Sequence, residues 1–109
     1  MADFNKFLEI DIRAGTIIDV QQFPEARKPA FKLELDFGHL GTKKSSAQIT
    51  ELYDTEALLG KQILAVVNFP PRQIGPFISE VLTLGVPNGD GHVVLVAPEM
   101  KVENGVRLY

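Results

Sequence analysis

Between Ala30 and Gly38 the chain alternates without interruption: Phe31, Leu33, Leu35 and Phe37 on one parity, Lys32, Glu34 and Asp36 on the other. Successive side chains of a strand point to opposite faces, so the run reads as one antiparallel strand, apolar inside and charged outside. The same period recurs upstream, where Ile10, Ile12 and Ala14 alternate with Glu9, Asp11 and Arg13, and Ile17, Ile18 and Val20 carry the strand on. Gly15 within that run predicts a bulge or coiling point where a curved sheet bends. Lys43 to Thr50 is a weaker, more polar strand. Ile63 to Phe69 is apolar on both faces and should be central. Ser79 to Val86 places Leu82, Leu84 and Val86 on one face, and Val93 to Ala97 makes a further short strand.

Between the third and fourth strands lies one internal helix, Asp54 to Leu59. Asp54 or Thr55 can cap it, Leu58 and Leu59 anchor it, and Gly60 ends it in the left-handed conformation. Val86 to His92 has hairpin chemistry, with Asn-Gly and Asp-Gly both expected to supply positive φ. Five main strands with a helix between the third and fourth is the order of an oligonucleotide-binding (OB) barrel. A small SH3-like barrel is the alternative, but it would not require the helix.

With 109 residues the chain is expected to be a single domain spanning 1–109, and a monomer this small leaves much apolar surface near water, so burial in an oligomer is in view. The absence of Cys excludes disulfides and thiolate metal sites and fits a reducing cytoplasm. The opening MADFNKFLEID lacks the basic and apolar regions of a signal peptide, and Ile63 to Val67 falls far short of the roughly 18 apolar residues of a membrane span. No membrane insertion is expected. A net charge of −3 argues against gripping polyanions by bulk electrostatics, so any nucleic-acid contact must come from a local cluster of cations.

The stretch Asn68 to Gly85, NFPPRQIGPFISEVLTLG, joins two strand-like runs through a segment too proline-rich to read as a strand or helix. A loop that only turns is normally polar. This one carries Phe69, Ile74, Phe77 and Ile78 together with a single cation, Arg72, and reads as a surface built to touch something. Catalysis finds no support. Ser45, Ser46 and Ser79 lack a positioned base, because His39 and His92 lie in remote turns. Glu9 and Asp11 share the outer face of a strand and normally just solvate it. No His, Asp and Glu cluster has metal-ligand spacing, and Gly85 to Gly91 is not followed by the Gly-Lys-Ser/Thr of a phosphate loop, so no metal or cofactor is expected.

Three stretches together resemble the tRNA-binding domain family, an OB module found free-standing or attached to methionyl- and phenylalanyl-tRNA synthetases. They are DIRAGTI at Asp11 to Ile17, LLGKQILAVVNF at Leu58 to Phe69, and PPRQI followed by SEVLTLG. QFPEARKPAFKLELDFG, KKSSAQIT and VVNFPPRQI are similar to an export-related bacterial chaperone branch of that family, homodimeric and non-enzymatic. The resemblance implies that Asn68, Arg72, Ser79 and Glu80 fall on nucleic-acid-facing positions, with Lys43 and Lys44 as further candidate tRNA contacts. It also implies tRNA, unfolded or presecretory polypeptides and a homodimer partner, with the export translocation motor as a candidate, all in the cytoplasm. Gln73-Ile74 and Val81-Leu82 depart from the more basic pattern of dedicated RNA binders and fit a polypeptide surface, with Phe69, Ile74, Phe77 and Ile78 as its apolar contacts.

Each candidate has a plainer reading. The Arg72 stem can cover apolar loop atoms, Lys43 and Lys44 can guard an edge strand, and Glu80 can orient Arg72 or cap a backbone donor. At the ends, Phe4, Phe7 and Leu8 line one side of a short helix, and Val102, Val106, Leu108 and Tyr109 surround the turn Glu103-Asn104-Gly105. These terminal extensions either plug the barrel's own ends or, in agreement with the resemblance, build a two-fold dimer interface.

Overall fold

The computed structural model describes residues 1–109. Its elements are α1 (Phe4–Leu8), β1 (Ile12–Gln22), β2 (Phe31–Asp36), a 3₁₀ turn (Gly38–Leu40), β3 (Thr42–Ala47), α2 (Thr55–Leu58), β4 (Gln62–Val66), β5 (Arg72–Ile74), β6 (Phe77–Ser79), β7 (Leu82–Thr83), β8 (Gly85–Pro87) and β9 (Val93–Leu95). The alternating run becomes β2, and all four of its apolar residues, Phe31, Leu33, Leu35 and Phe37, are buried.

The main sheet is antiparallel, in the order β3-β2-β1-β4-β7. Its curl comes from β1, which serves two partners in succession. Ile12 to Thr16 pair with β4, and Thr16 to Gln22 pair with β2. The two halves of the sheet therefore meet at one long strand, and the two free edges, β3 and β7, are brought round to face each other. There the Lys44 carbonyl accepts from the Glu80 N–H (2.8 Å) and the Val81 N–H (3.3 Å). Ser79 Oγ accepts from the Ser46 N–H (3.0 Å), and Thr83 Oγ1 donates to the fully buried Ser45 Oγ (2.9 Å). The result is a nearly closed five-stranded OB-like barrel, as the order of elements predicts.

Ile17, Leu33, Leu35, Ile63, Ala65 and Val81 fill the interior, and α2 covers one end by inserting Leu58. Asp54 is the cap, its Oδ1 accepting from the Ala57 N–H at 2.7 Å, and Gly60 takes φ 88°. Leu59 is not an anchor: helix α2 ends before it, and its side chain is more than half exposed.

Four other expectations need correction. Gly15 is not a bulge, since the β1–β4 register runs straight through Gly15↔Ile63; the irregularity lies between Ile17 and Asp19 and turns Ile18 outward. The single strand Ser79 to Val86 is divided among β6, β7 and β8, and its core residue is Val81, while Leu82 and Val86 are exposed. The proline-rich segment is not strandless: after Pro70-Pro71 it forms the hairpin β5–β6 around Gly75-Pro76, the prolines flanking the paired residues rather than interrupting them. In the loop before His92, Gly91 takes positive φ (80°) and Gly89 does not, because Asn88 Oδ1 accepts from the Asp90 and His92 N–H groups and makes the turn itself.

Gly15 instead lets the Phe37 ring pack closely against β1. A Cβ there would sit 2.6 Å from Phe37 Cε1, and the ring is wholly buried. Gly15→Ala should therefore cost about 1–3 kcal/mol by overpacking. Thermal melting checks this; an unchanged midpoint would show that the ring can move aside.

Candidate functional site

The hairpin β5–β6 lies across β3. Its pairs Arg72↔Ser79 and Ile74↔Phe77 share one face, and Gln73↔Ile78 the other. The first face is fastened. Phe77 meets the buried Phe23 edge-on, with ring centroids 5.4 Å apart at 64°, and Lys32 Nζ lies 5.5 Å from the Phe23 ring centroid. The hairpin is thereby locked to the loop that joins β1 to β2. Of the four apolar candidates, Ile74 and Phe77 are half-buried in this packing, while Phe69 and Ile78 are exposed. They form no single patch.

The cations are also divided. In the β2–β3 register Lys43 lies opposite the core residue Leu35, and Lys44 opposite the outward Glu34, so the two lysines project to opposite faces. Lys44 shares a cleft of about 190 Å³ with Lys32, Asp19, Glu34 and Phe77, in which two positive and two negative side chains offset each other. Arg72 lines a different groove, of about 390 Å³, running along the seam between β3 and the β7–β9 segment. Arg72 enters no salt bridge, since both of the molecule's ion pairs are made by Asp11.

The remaining candidates hold the fold together. Asn68 Oδ1 accepts from the Asp11 N–H (2.9 Å), and its Nδ2 donates to the Glu9 carbonyl (2.8 Å), pinning the chain as it leaves α1. Ser79 Oγ joins the seam, and Glu80 Oε1 accepts from the Lys44 N–H (3.0 Å), so Glu80 caps a backbone donor rather than orienting Arg72. Asp11 does more than solvate a face. Its carboxylate takes Arg13 Nε at 2.7 Å and Arg107 Nε at 3.4 Å, while Arg13 also donates to the Gly105 carbonyl and Arg107 to the Leu8 carbonyl.

This cluster joins both chain ends to the barrel. The C-terminal segment adds to the first half of β1, with Gly105 N–H donating to the Ala14 carbonyl (2.8 Å), Ala14 N–H to Val106 (3.1 Å) and Leu108 N–H to Ile12 (2.8 Å). The Gln62 amide pairs both ways with the Val102 backbone, and Thr16 Oγ1 donates to Asn104 Oδ1. The backbone thus packs on its own barrel, yet Phe4, Phe7, Leu8, Val102, Val106 and Tyr109 remain exposed, and Leu108 is half-buried. Helix α1 buries no residue at all. Sequence reasoning missed Phe23, Gln62 and Asn104. Phe23 has one local signal, an apolar residue held just before a proline; the two amides have none.

Asn68→Ala should remove both pins at once and cost about 1–3 kcal/mol, from two hydrogen bonds at 0.5–1.5 each. Hydrogen exchange at the Asp11 amide should accelerate while the β2 amides change only with global stability. Unaltered exchange at Asp11 would show that the pin is dispensable.

Comparison with known proteins gives a consistent result. Residues 12–107 match the family model described as "Putative tRNA binding domain". The fold superposes on the crystal structure of chaperone CsaA from Bacillus anthracis, with TM-score 0.94 and 52% identity over 100% of this chain and 99% of that one. It superposes equally on the CsaA chaperone protein from Picrophilus torridus, at 52% identity and complete coverage of both chains. Methionine–tRNA ligase of Bacteroides fragilis is 34% identical over 103 residues, which are 94% of this chain and 15% of the ligase, so the chain spans a small part of that enzyme's length.

Proposed function

Because the chain belongs to the tRNA-binding domain family, we propose that it is a non-catalytic binding module of the chaperone branch, which holds unfolded or presecretory polypeptides and retains a capacity for tRNA. One observation carries this reading. Around the hairpin, apolar side chains lie open to solvent, while the outer face of the sheet has no uncompensated basic stripe. Phe69 and Ile78 are the exposed apolar contacts, and Ile74 and Phe77, half-buried on the other face of the hairpin, hold it in place. The full-length likeness to two CsaA chaperones agrees with it.

The second reading is a dedicated structure-specific tRNA-binding protein. It is favoured by Arg72, which has no anionic partner, and by Lys44 and Lys32 in the neighbouring cleft, with Lys43 on the adjacent position of β3. In this reading Asn68, Ser79 and Glu80 shape the surface through the bonds described above. The module works in the cytoplasm as a homodimer joined through Phe4, Phe7, Leu8, Val102, Val106, Leu108 and Tyr109, and its delivery of presecretory clients makes the export translocation motor a candidate partner. The exposed apolar side chains at both ends support the dimer.

Titration with bulk tRNA and with an unfolded apolar peptide, each at two salt concentrations, separates the readings. Peptide affinity should survive moderate salt, and Ile78→Ser should reduce it about fivefold at unchanged melting temperature, a loss of about 1 kcal/mol. A peptide affinity that collapses with salt would defeat the chaperone reading. tRNA affinity should fall steeply with salt, and combined Lys43→Ala, Lys44→Ala and Arg72→Ala should flatten the log–log slope by about two, since Lys43 faces inward. An unaltered slope would put the RNA on another face.

For assembly, Phe4→Ser with Val106→Ser leaves every backbone fastening in place. Sedimentation should show a dimer for the parent at micromolar concentration and a monomer for the variant. A monomeric parent removes the dimer from the proposal.

A further inference from the structure

The groove at the barrel seam offers more than an apolar surface. Along β3 the backbone groups that face away from β2 belong to Lys44 and Ser46, and Gln48, of the same parity, follows directly on the last residue of the strand. Lys44 is paired with Glu80 and Val81, and the Ser46 N–H with Ser79 Oγ. Gln48 is exposed, and neither its N–H nor its carbonyl has a hydrogen-bond partner. The ladder therefore stops one residue short, at an open edge. Beside it the groove has an apolar lining of Ala47, Ile49, Leu82, Leu84, Val93 and Leu95, and no carboxylate lines it. Its one charge is Arg72, which has no anionic partner. At about 390 Å³ the groove is of ordinary ligand-site size.

We propose that this seam takes an extended polypeptide as an added strand, antiparallel to β3, with its C-terminal carboxylate on Arg72. The inference rests on the polypeptide-binding reading and specifies its site, pairing and polarity. The polarity follows from register. Ser79 bonds to Ser46 and pairs with Arg72, so Arg72 stands at the Ser46 end, while Gln48 and Ile49 lie further along the chain. A strand antiparallel to β3 enters at the Ile49 end and finishes at Ser46, which brings its last residue to the guanidinium. One peptide residue opposite Gln48 exchanges both backbone hydrogen bonds with it, and apolar side chains of one parity drop onto the groove floor. Arg presents its donors as a planar fork matched to a carboxylate, which suits this terminal contact.

Backbone pairing predicts a dependence that a merely greasy surface would not show. The probes are a short N-acetylated peptide alternating Val and Ser in four forms: free acid, C-terminal amide, and two free acids N-methylated on one parity or the other. The free acid should bind and protect the Gln48 amide from hydrogen exchange. The amide should bind about tenfold more weakly, and Arg72→Gln should abolish that difference while leaving the melting temperature unchanged. Methylation on the parity facing β3 should weaken binding at least tenfold, and methylation on the other parity should not. If both methylated forms bind like the parent peptide, or the acid and amide bind alike, or the Gln48 amide gains no protection, the strand-addition site is refuted while the chaperone reading stands. Protection of that amide by tRNA and not by peptide would assign the seam to RNA and also refute it. If no form binds, the polypeptide reading falls with it.

Discussion

An open five-stranded sheet has two edges, and the character of this molecule depends on how β3 and β7 meet. A full ladder would have produced a uniform barrel. Instead the closure uses two N–H groups on the Lys44 carbonyl, then side-chain hydroxyls, then nothing at Gln48. Ser45 makes this possible. It occupies an inward position opposite Leu33, wholly buried, and would be costly there without partners. Thr83 donates to it and the Val81 carbonyl accepts from it, so the network is satisfied and ties β3 to the strand across the seam. Because Ser79, Glu80 and Val81 all anchor here, the same contacts decide where the β5–β6 hairpin lies and which of its faces reaches solvent.

What the sequence discloses follows the range of the interaction responsible. The alternation of β2 is a local pattern and appears in the structure residue for residue. The Asp54 cap and the Gly60 terminator of α2 were equally legible, since both act within a turn of the helix. Leu59 departs from the anchoring role that its apolar character predicts, because a four-residue helix presents only one face, and Leu58 already occupies it. The proline-rich hairpin was hidden because its strands are three residues each, too short for a period of two to stand out from its flanking prolines. At Gly15 the sequence marks a special position without its reason, since a bulge and a close approach both select glycine and only the position of Phe37 distinguishes them.

The candidate site was less legible for the same physical cause. Asn68 looks like a ligand-facing polar residue until its partners, 57 and 59 residues away, are known. Lys43 and Lys44 look like a cationic pair, yet adjacent residues on a strand must diverge, and the register sends one toward the core parity. Phe77 looks like an exposed hook in a loop, and it is held by Phe23 from another loop altogether. Each of these required a long-range partner that no local window contains. The resemblance to the family names a surface in outline and leaves open which side chains build it and which project from it.

The division of labour at the chain ends shows the same separation in energetic form. The terminal segments are fixed by polar groups: the Asp11 carboxylate between Arg13 and Arg107, the Gln62 amide on Val102, and the Asn104 amide on Thr16. Their apolar side chains take little part. A segment held only by burial would have turned Phe4, Phe7 and Val106 inward, because each buried aromatic or branched side chain is worth roughly 1.5–3 kcal/mol. Holding the backbone with hydrogen bonds and ion pairs leaves that apolar area unspent on the barrel itself. The hairpin repeats the arrangement, fastened through Ser79, Glu80 and Phe77 on one face and bearing Ile78 on the other. In both places fastening through other groups presents apolar surface in a fixed shape, and such preorganisation lowers the ordering cost of association.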